Sequence, residues 1–291
     1  MAGIAGVQGS DNGELEQMLE RIKHRGPHET WTKREQGVNI GCCELNVGGD
    51  LKDGSHYASN GQRTIVLDGR IYNQEKSGMT DAEAILYFYD KYGTQFTKKI
   101  NGNFACAILD KGKLILARDC VGISPLYYGH SKGRLCFASE AKSLVGIADD
   151  VKEFPPEYVY SQELGFQKYP CQAVETPEFE NYEQAKKVIV QLLEEATEKR
   201  MKDNAVGGIF LSGGFDSSII CCLAKEIKPN IEAFTVSTEG GKDLPLARDV
   251  VKYLGIKHHV LMFGEKEINE VLPQAIHHIE MFEESCVRGA I

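Results

Sequence analysis

The sequence predicts two domains, an α+β sandwich followed by an α/β parallel sheet, and three observations support this prediction. Its 291 residues suit two domains of ordinary size. In the first part, short β-branched runs alternate with glycine-rich turns and few helices, which is typical of an α+β sandwich. In the last part, strands and helices alternate at the spacing of βαβ units, which predicts a parallel sheet. We place the first domain at 1–168, a linker at 169–181 and the second domain at 182–291.

The first domain is predicted to contain several strands and two helices. Apolar, β-branched runs predict strands at 64–67, 104–109, 114–117 and 134–138. Apolar side chains at helical spacing predict helices at 12–23 and 80–92. Thr80 lies at the N-cap position of the second helix, and Glu83, three residues later, completes the pattern of a capping box.

The linker has two prolines and no apolar periodicity, so no regular element is predicted there. It is followed by a long amphipathic helix at 182–202, with Ile189 and Leu192 on its apolar face. The remaining predicted elements are strands at 206–211, 231–237 and 258–263, and helices at 216–227, 244–254 and 267–281.

Composition and charge exclude several classes of partner. Asp and Glu number 42 against 33 Lys and Arg, giving a formal net charge of −9, which argues against nucleic acid or an anionic membrane as the main partner. No segment has the roughly 18 apolar residues of a spanning helix, and the sequence starts without the features of a signal peptide. The nine cysteines show no C-x-x-C spacing. We therefore expect a cytoplasmic protein whose cysteines are free, buried thiols.

A loop rich in glycine and serine follows the first strand of the second domain. It reads Ser212-Gly213-Gly214-Phe215-Asp216-Ser217-Ser218, and a helix begins within it. The glycines allow a sharp turn and close approach of a ligand, while the first N–H groups of the helix favour an anion. Asp216 suits such a site only if a divalent cation lies between its carboxylate and the bound phosphates. The loop is therefore interpreted as a site for a phosphate group together with a divalent cation at Asp216.

These residues resemble the PP-loop ATP pyrophosphatases, whose signature is S-G-G-x-D-S. The segments at 233–236, 243–244, 258–259 and 277–280 resemble, more narrowly, those of asparagine synthetases. The resemblance implies the adenine nucleotide α-hydrolase fold and cleavage of ATP between its α and β phosphates, with Mg²⁺ at Asp216. The residues it implies for ATP binding are Leu211, Ser212, Gly213, Gly214, Asp216, Ser217, Ser218 and Val236, the last of them against adenine.

The first domain resembles the class II glutamine amidotransferase domain of the same family. The segments that carry this resemblance lie at 24–27, 68–73, 117–119, 122–128 and 137–142. It implies a fold like that of the N-terminal nucleophile hydrolases. The two resemblances together cover nearly the whole chain in the order expected of an asparagine synthetase.

The catalytic positions of the amidotransferase domain differ from the family pattern. The family nucleophile is a cysteine exposed after removal of Met1, whereas this sequence has Ala2, and a methyl group cannot attack an amide. Asp68 stands where the family has the asparagine of the oxyanion hole, so negative charge would meet the developing oxyanion. We expect no glutaminase activity.

The residues that would recognise glutamine also differ. Glu44 replaces a family arginine and Arg70 replaces a glutamate, whereas Asp81 is retained; Gly69 completes the predicted pocket. Two interpretations of Glu44 and Arg70 remain open. They pair with each other across an unused pocket, or the pocket binds a different ligand.

The sequence ends before the second loop, S-G-E-G-x-D-E, of the family synthetase domain. We therefore expect either a fragment or a domain completed by a second polypeptide, with an exposed and adhesive sheet. A homo-oligomer is a further option. Glu280, Glu283 and Arg288 are candidates for the acceptor-substrate side, although a solvated helix face explains the two glutamates equally well.

The resemblance implies an ATP-dependent amide ligase that forms AMP and pyrophosphate. Its substrate would be a small-molecule carboxylate, and its nitrogen donor would be ammonia or an amine of the substrate. Three alternatives remain: a ring-closing enzyme like the β-lactam synthetases, a non-catalytic ATP-binding subunit of a split synthetase, and an ordinary asparagine synthetase whose cysteine was replaced.

Overall fold

The computed structural model describes residues 2–35, 37–46, 56–75, 78–169, 179–201, 207–281 and 283. The chain divides into two compact units, Met1–Glu175 and Thr176–Ile291. Most of the linker proposed from sequence lies outside the described residues. The two units are described separately.

The first unit contains two six-stranded antiparallel sheets. The first sheet has the order β10-β8-β9-β1-β3-β2, with β1 (Ala2–Gln8), β2 (Glu29–Glu35), β3 (Val38–Glu44), β8 (Tyr127–Ser131), β9 (Arg134–Ala138) and β10 (Asp149–Glu153). The second has the order β12-β11-β7-β6-β5-β4, with β4 (Tyr57–Ser59), β5 (Arg63–Ile71), β6 (Gly102–Asp110), β7 (Lys113–Arg118), β11 (Tyr158–Ser161) and β12 (Gly165–Lys168).

The two sheets stack face to face between helical layers. Ile40 of the first sheet and Val66 of the second belong to the same buried cluster, which lies between the sheets. The neighbouring Ile65 and Leu67 point the opposite way and pack with α2 (Asp81–Tyr92). The outer face of the first sheet packs against two further helices, α1 (Glu14–Arg21) and α3 (Ala141–Leu144). The predicted α+β sandwich is confirmed, with its layers in the order α, β, β, α.

Local hydrogen bonds account for where the helices begin. The predicted capping box is confirmed, because Glu83 N–H donates to Thr80 Oγ1 at 3.2 Å and Thr80 N–H donates to Glu83 Oε2 at 2.8 Å. Helix α1 starts after Gly13, which has φ of 87°. The Asp11 side chain accepts from the N–H groups of Glu14 and the residues on either side of it. Short 3-10 helices follow α1 and α2, at Lys23–Arg25 and Gly93–Lys99.

A buried carboxylate organises the turn after β7. Asp119 Oδ1 accepts from the N–H groups of Val121, Gly122 and Ile123. Its Oδ2 accepts from those of Phe104 and Ser124. Two of the segments that resemble the amidotransferase family therefore serve to shape a turn.

The second unit contains a three-stranded parallel sheet of order β13-β14-β15. Its elements are α4 (Tyr182–Met201), β13 (Gly208–Phe210), α5 (Phe215–Ile227), β14 (Glu232–Thr238), α6 (Asp243–Leu254), β15 (His258–Phe263) and α7 (Glu265–Ile279). A buried cluster of Leu211, Cys221, Ala233 and Ala247 packs α5 and α6 against one face of the sheet. The predicted parallel α/β sheet is confirmed.

The opposite face of this sheet is exposed and apolar. Phe210, Val236 and Leu261 are 81%, 47% and 56% exposed, and register places Val236 opposite Leu261. Parallel sheets are ordinarily covered on both faces. The predicted apolar face of α4 is also largely open, because Ile189 and Leu192 are more than half exposed.

The cysteines whose state is known are of two kinds, free thiols and one disulfide-bonded residue. Cys42, Cys43, Cys106, Cys136, Cys221 and Cys222 are free, and all except the last are buried. Cys120 is disulfide-bonded, so the expectation of free thiols throughout was wrong. Spacing along the chain does not show this, because a disulfide requires only that two distant cysteines meet in the fold.

Among the described residues, no helix has both the length and the apolar character needed to cross a membrane.

We predict that Asp119→Ala lowers the free energy of unfolding of the first unit by about 3–5 kcal/mol, because five backbone N–H groups lose a buried acceptor. Trp31 is the only tryptophan and stacks on Tyr57 in this unit, so its fluorescence during urea unfolding reports on this unit. The exposed Asp149→Ala is the matched control. Equal urea midpoints for the two variants would contradict the role of Asp119.

Candidate functional site

The start of β1 lies at the position predicted for a nucleophile. Ala2 is fully buried and lies opposite Glu44 in the β1–β3 register. Its N–H donates to Asp68 Oδ1 at 3.0 Å, and its carbonyl accepts from Arg25 Nε at 2.9 Å. The backbone of the residue is thus held firmly, but its methyl side chain has no nucleophilic atom.

Arg25 joins two carboxylates, those of Asp68 and Glu140. Its Nη2 donates to Asp68 Oδ2 at 2.6 Å and its Nη1 donates to Glu140 Oε1 at 3.1 Å. Glu140 also lies 2.5 Å from Lys142 Nζ and 3.1 Å from His24 Nε2. The Asp68 carboxylate at the predicted oxyanion position therefore faces a cation and is neutralised by it.

The network shifts the pKa values of Arg25 and Glu140. Burial acts to lower the pKa of Arg25, but the charges of Asp68 and Glu140 outweigh it and the pKa is raised. Burial acts to raise the pKa of Glu140, but Lys142, Arg25 and His24 together lower it. Both groups are therefore held in their charged forms, and removing one partner would leave an uncompensated buried charge.

The expected pair between Glu44 and Arg70 is replaced by two other contacts. Arg70 Nη1 lies 3.3 Å from Asp81 Oδ2. Glu44 Oε1 accepts from the N–H of His56 at 2.9 Å. Burial raises the pKa of Asp81 and that of Glu44. Arg70 thus pairs with Asp81 and not with Glu44, because the fold brings the start of α2 beside the end of β5.

Gly69 occupies a backbone position that excludes a side chain. It has φ of 154°, and a Cβ atom there would lie 2.1 Å from the Asn103 carbonyl oxygen of the neighbouring strand β6. The glycine between Asp68 and Arg70 is thus required by strand packing. Asp68, on one side of this glycine, bonds to Ala2, whereas Arg70, on the other side, pairs with Asp81.

His56 is a buried residue that no sequence pattern indicates. It is 1% exposed, and its Nδ1 atom has no hydrogen-bond partner in the described structure. Burial, with Arg70 nearby, lowers its pKa to about 3. A lone histidine before a short strand gives no sequence signal, because its burial depends on the packing of β4 against β5.

The glycine- and serine-rich loop connects β13 to α5 as predicted. Gly213 has φ of 79°, and a Cβ atom there would lie 2.3 Å from the backbone nitrogen of Ala247 in α6. Gly214 is the N-cap of α5, and no side chain caps this helix. The close approach of α6 therefore fixes the turn, while the N-terminal N–H groups of α5 lie at its opening, where an anion is favoured.

The loop serines hydrogen bond to one another and to the backbone. Ser212 Oγ and Ser217 Oγ are 2.9 Å apart, and Gly214 N–H donates to Ser212 Oγ at 3.3 Å. Ser217 Oγ donates to the Gly214 carbonyl at 3.2 Å. Ser218 Oγ is buried and has no partner among the described residues. An orphaned hydroxyl and a turn that excludes Cβ both fit a loop that receives phosphate oxygens.

Asp216 lies exposed in the first turn of α5. The described residues contain no group of three or more metal-ligating side chains. Mg²⁺ bound with a nucleotide needs only one or two protein carboxylates, because phosphates and water supply its other ligands. Asp216 therefore fits a Mg²⁺ shared with phosphate.

The remaining predicted site residues lie farther along the second unit. Val236 lies on the exposed face of β14. Glu280 is the C-cap of α7, with φ of 56°, and Glu283 is exposed. Arg288 is outside the described residues.

Two protein families match the chain, one over each unit. Residues 1–176 match the family described as glutamine amidotransferase domain, and residues 189–287 match the family described as asparagine synthase.

Curated relatives match across both units. "Asparagine synthetase [glutamine-hydrolyzing] 1" of Arabidopsis thaliana is 29% identical over 326 residues, which cover 100% of this chain and 55% of that protein. "Asparagine synthetase B [glutamine-hydrolyzing]" of Escherichia coli (strain K12) is 29% identical over 307 residues, covering 92% and 54%. The chain thus spans about half the length of the curated relatives it matches.

Among solved structures, the glutamine phosphoribosylpyrophosphate amidotransferase of B. subtilis overlaps 89% of this chain and 65% of its own, at 14% identity and a TM-score of 0.47. The assignment of fold therefore depends on the strand order given above.

We predict that His56 makes the first unit less stable in mild acid. The pKa of His56 is about 3 in the folded protein and 6.5 in the unfolded chain. The neutral ring therefore contributes fully to the free energy of unfolding above pH 6.5, and this contribution is lost as the pH falls below that value. Between pH 7 and pH 5 the free energy of unfolding should decrease by about 2 kcal/mol from this group. Urea unfolding followed by Trp31 fluorescence measures it.

His56→Asn should remove this part of the pH dependence, and His130→Asn, at an exposed position in the same unit, should retain it. Parallel pH profiles for wild type and His56→Asn would show that His56 titrates normally in the folded protein.

Proposed function

Because this chain belongs to the asparagine synthetase family, we propose that its second unit binds MgATP and serves as the activating part of an ATP-dependent amide ligase. The observation that carries the proposal is the turn at Gly213, which is closed by α6 at a distance that excludes any Cβ atom. It leaves the first N–H groups of α5, which no side chain caps, for phosphate oxygens.

Four loop residues have a role in the proposed reaction. Ser212, Ser217 and Ser218 supply hydroxyl groups to the phosphates, and Asp216 would hold a Mg²⁺ ion, which would supply positive charge beside the pyrophosphate leaving group. A substrate carboxylate attacks the α-phosphate of ATP, pyrophosphate leaves, and an amine then displaces AMP. The loop contributes by binding the charge that develops on pyrophosphate.

The nitrogen donor in this proposal is ammonia or an amine of the substrate itself. The first unit has no thiol at Ala2, and the Asp68 carboxylate at the oxyanion position is engaged by Arg25. These two features support an inactive glutaminase, in contrast to relatives named as glutamine-hydrolyzing. An intramolecular ring closure of the β-lactam synthetase kind is compatible with the same arrangement.

A second candidate function is that of an ATP-binding subunit in a split synthetase. The exposed apolar face formed by Phe210, Phe234, Val236 and Leu261 favours it, since a parallel sheet is normally covered on both sides. A second polypeptide or another copy of the chain would cover this face. In that case nucleotide binds, but no pyrophosphate is released until the missing polypeptide is added.

We predict that Gly213→Ala weakens MgATP binding by at least about 30-fold, because Cβ collides with α6 and the residue must leave the left-handed region. Gly207→Ala, just before β13, is the matched control, since its Cβ would meet nothing within 4 Å and its φ is not positive. Isothermal titration with MgATP measures both affinities. A wild-type chain without affinity for MgATP would refute the proposed function, and pyrophosphate release would distinguish ligase from binding subunit.

We predict that Ala2→Cys does not restore glutamine hydrolysis, because Asp68 remains paired with Arg25 beside the new thiol and Glu44 remains where the family has arginine. Intact-mass measurement should first show that Met1 has been removed. Glutamate release from glutamine is then compared with that of Ala2→Ser. Sustained glutamate release by Ala2→Cys alone would show that the remaining site is competent.

A further inference from the structure

A line of hydrogen bonds crosses the three strands of the second unit and ends at the phosphate loop. Thr235, on β14, is 3% exposed, and its hydroxyl donates to the carbonyl of Leu211 at 2.6 Å. Leu211 is the residue immediately before Ser212, and its N–H donates to the Phe234 carbonyl at 2.8 Å. Both polar backbone groups of Leu211 are therefore held by adjacent residues of β14.

His258 completes the line from β15. Its Nε2 lies 2.8 Å from Thr235 Oγ1. The single hydroxyl proton of Thr235 is given to Leu211, so Oγ1 acts as the acceptor and His258 Nε2 carries the proton. Burial, followed by the charges of Arg248 and His259, lowers the pKa of His258, which favours the neutral ring. The histidine thereby sets the direction in which the Thr235 hydroxyl donates.

The position of Leu211 matters because the chain leaves the sheet there. Gly213, two positions later, has positive φ, and its backbone lies so close to α6 that it cannot move toward that helix. A rotation of the Leu211 peptide would redirect Ser212 and its bond to Ser217. The loop geometry thus depends on an anchor at its first residue as well as on α6.

We propose that Thr235, oriented by His258, is a positioning residue that fixes the phosphate loop through the Leu211 carbonyl. The identity of the ligand that the loop binds rests on the proposed function, whereas the positioning of the loop by Thr235 does not. The effect on the loop itself is a property of the free protein and is measurable without nucleotide.

Ser237 provides a matched control on the same strand. It lies two residues beyond Thr235 on the same face of β14 and is 7% exposed. Its hydroxyl donates to the Thr238 carbonyl and not to the loop. A merely structural contribution of a buried hydroxyl on β14 would therefore appear in Ser237→Ala as well.

The test compares wild type, Thr235→Val, Thr235→Ser and Ser237→Ala by hydrogen exchange of peptides covering residues 208–218 in the absence of nucleotide. Thr235→Val should increase amide exchange at 212–217 by about 10-fold, because a lost hydrogen bond of this kind lowers local stability. Thr235→Ser retains the hydroxyl and should exchange like wild type, as should Ser237→Ala. Unchanged loop exchange in Thr235→Val, or an equal increase in Ser237→Ala, would overturn the proposal.

Titration with MgATP then separates the two proposals. We expect Thr235→Val to weaken affinity by about 10-fold, with rescue by Thr235→Ser and an unfolding temperature close to that of Ser237→Ala. If wild type binds no MgATP, the proposed function fails while the exchange result still decides the role of Thr235.

A second variant serves if Thr235→Val does not fold. His258→Leu removes the donor to Thr235 and should likewise increase amide exchange in the loop. Unchanged exchange in His258→Leu would overturn the proposal.

Discussion

The largely buried guanidinium of Arg25 is the interaction on which the region around Ala2 depends. It contacts Asp68 on β5, Glu140 before α3 and the carbonyl of Ala2 on β1, so it ties both sheets to a helical layer. A buried charge of this kind is stable only while its partners remain, because an isolated ion in the protein interior costs several kcal/mol. The same contacts hold Ala2, Asp68 and Glu140 together although the region lacks a nucleophile.

The second unit depends on a steric constraint instead. Helix α6 lies so close to the loop after β13 that only glycine fits at position 213, and Thr235 holds the residue at which that loop starts. Both constraints act on the backbone before any ligand is present. A loop arranged in this way would bind the proposed phosphate ligand without first having to order itself, which would reduce the entropic cost of binding.

The elements that could be predicted from sequence are those governed by neighbouring residues. The capping box of Thr80 and Glu83 was predictable because its donors and acceptors are three residues apart. The turn at Gly213 was predictable because glycine marks left-handed backbone. Burial of His56 and pairing of Arg70 with Asp81 were not predictable, since both depend on which surfaces of distant segments meet.

By itself, the sequence determined the two-part organisation, the strand-loop-helix at 208–227 and the absence of a thiol at Ala2, because periodicity, glycine placement and residue chemistry are local properties. Only the tertiary structure decided that Asp68 would be neutralised by Arg25, 43 positions away, and that Thr235 would anchor Leu211, 24 positions away. Such contacts are fixed by sheet register and helix packing. Those depend on the burial of the whole core, which no local pattern encodes.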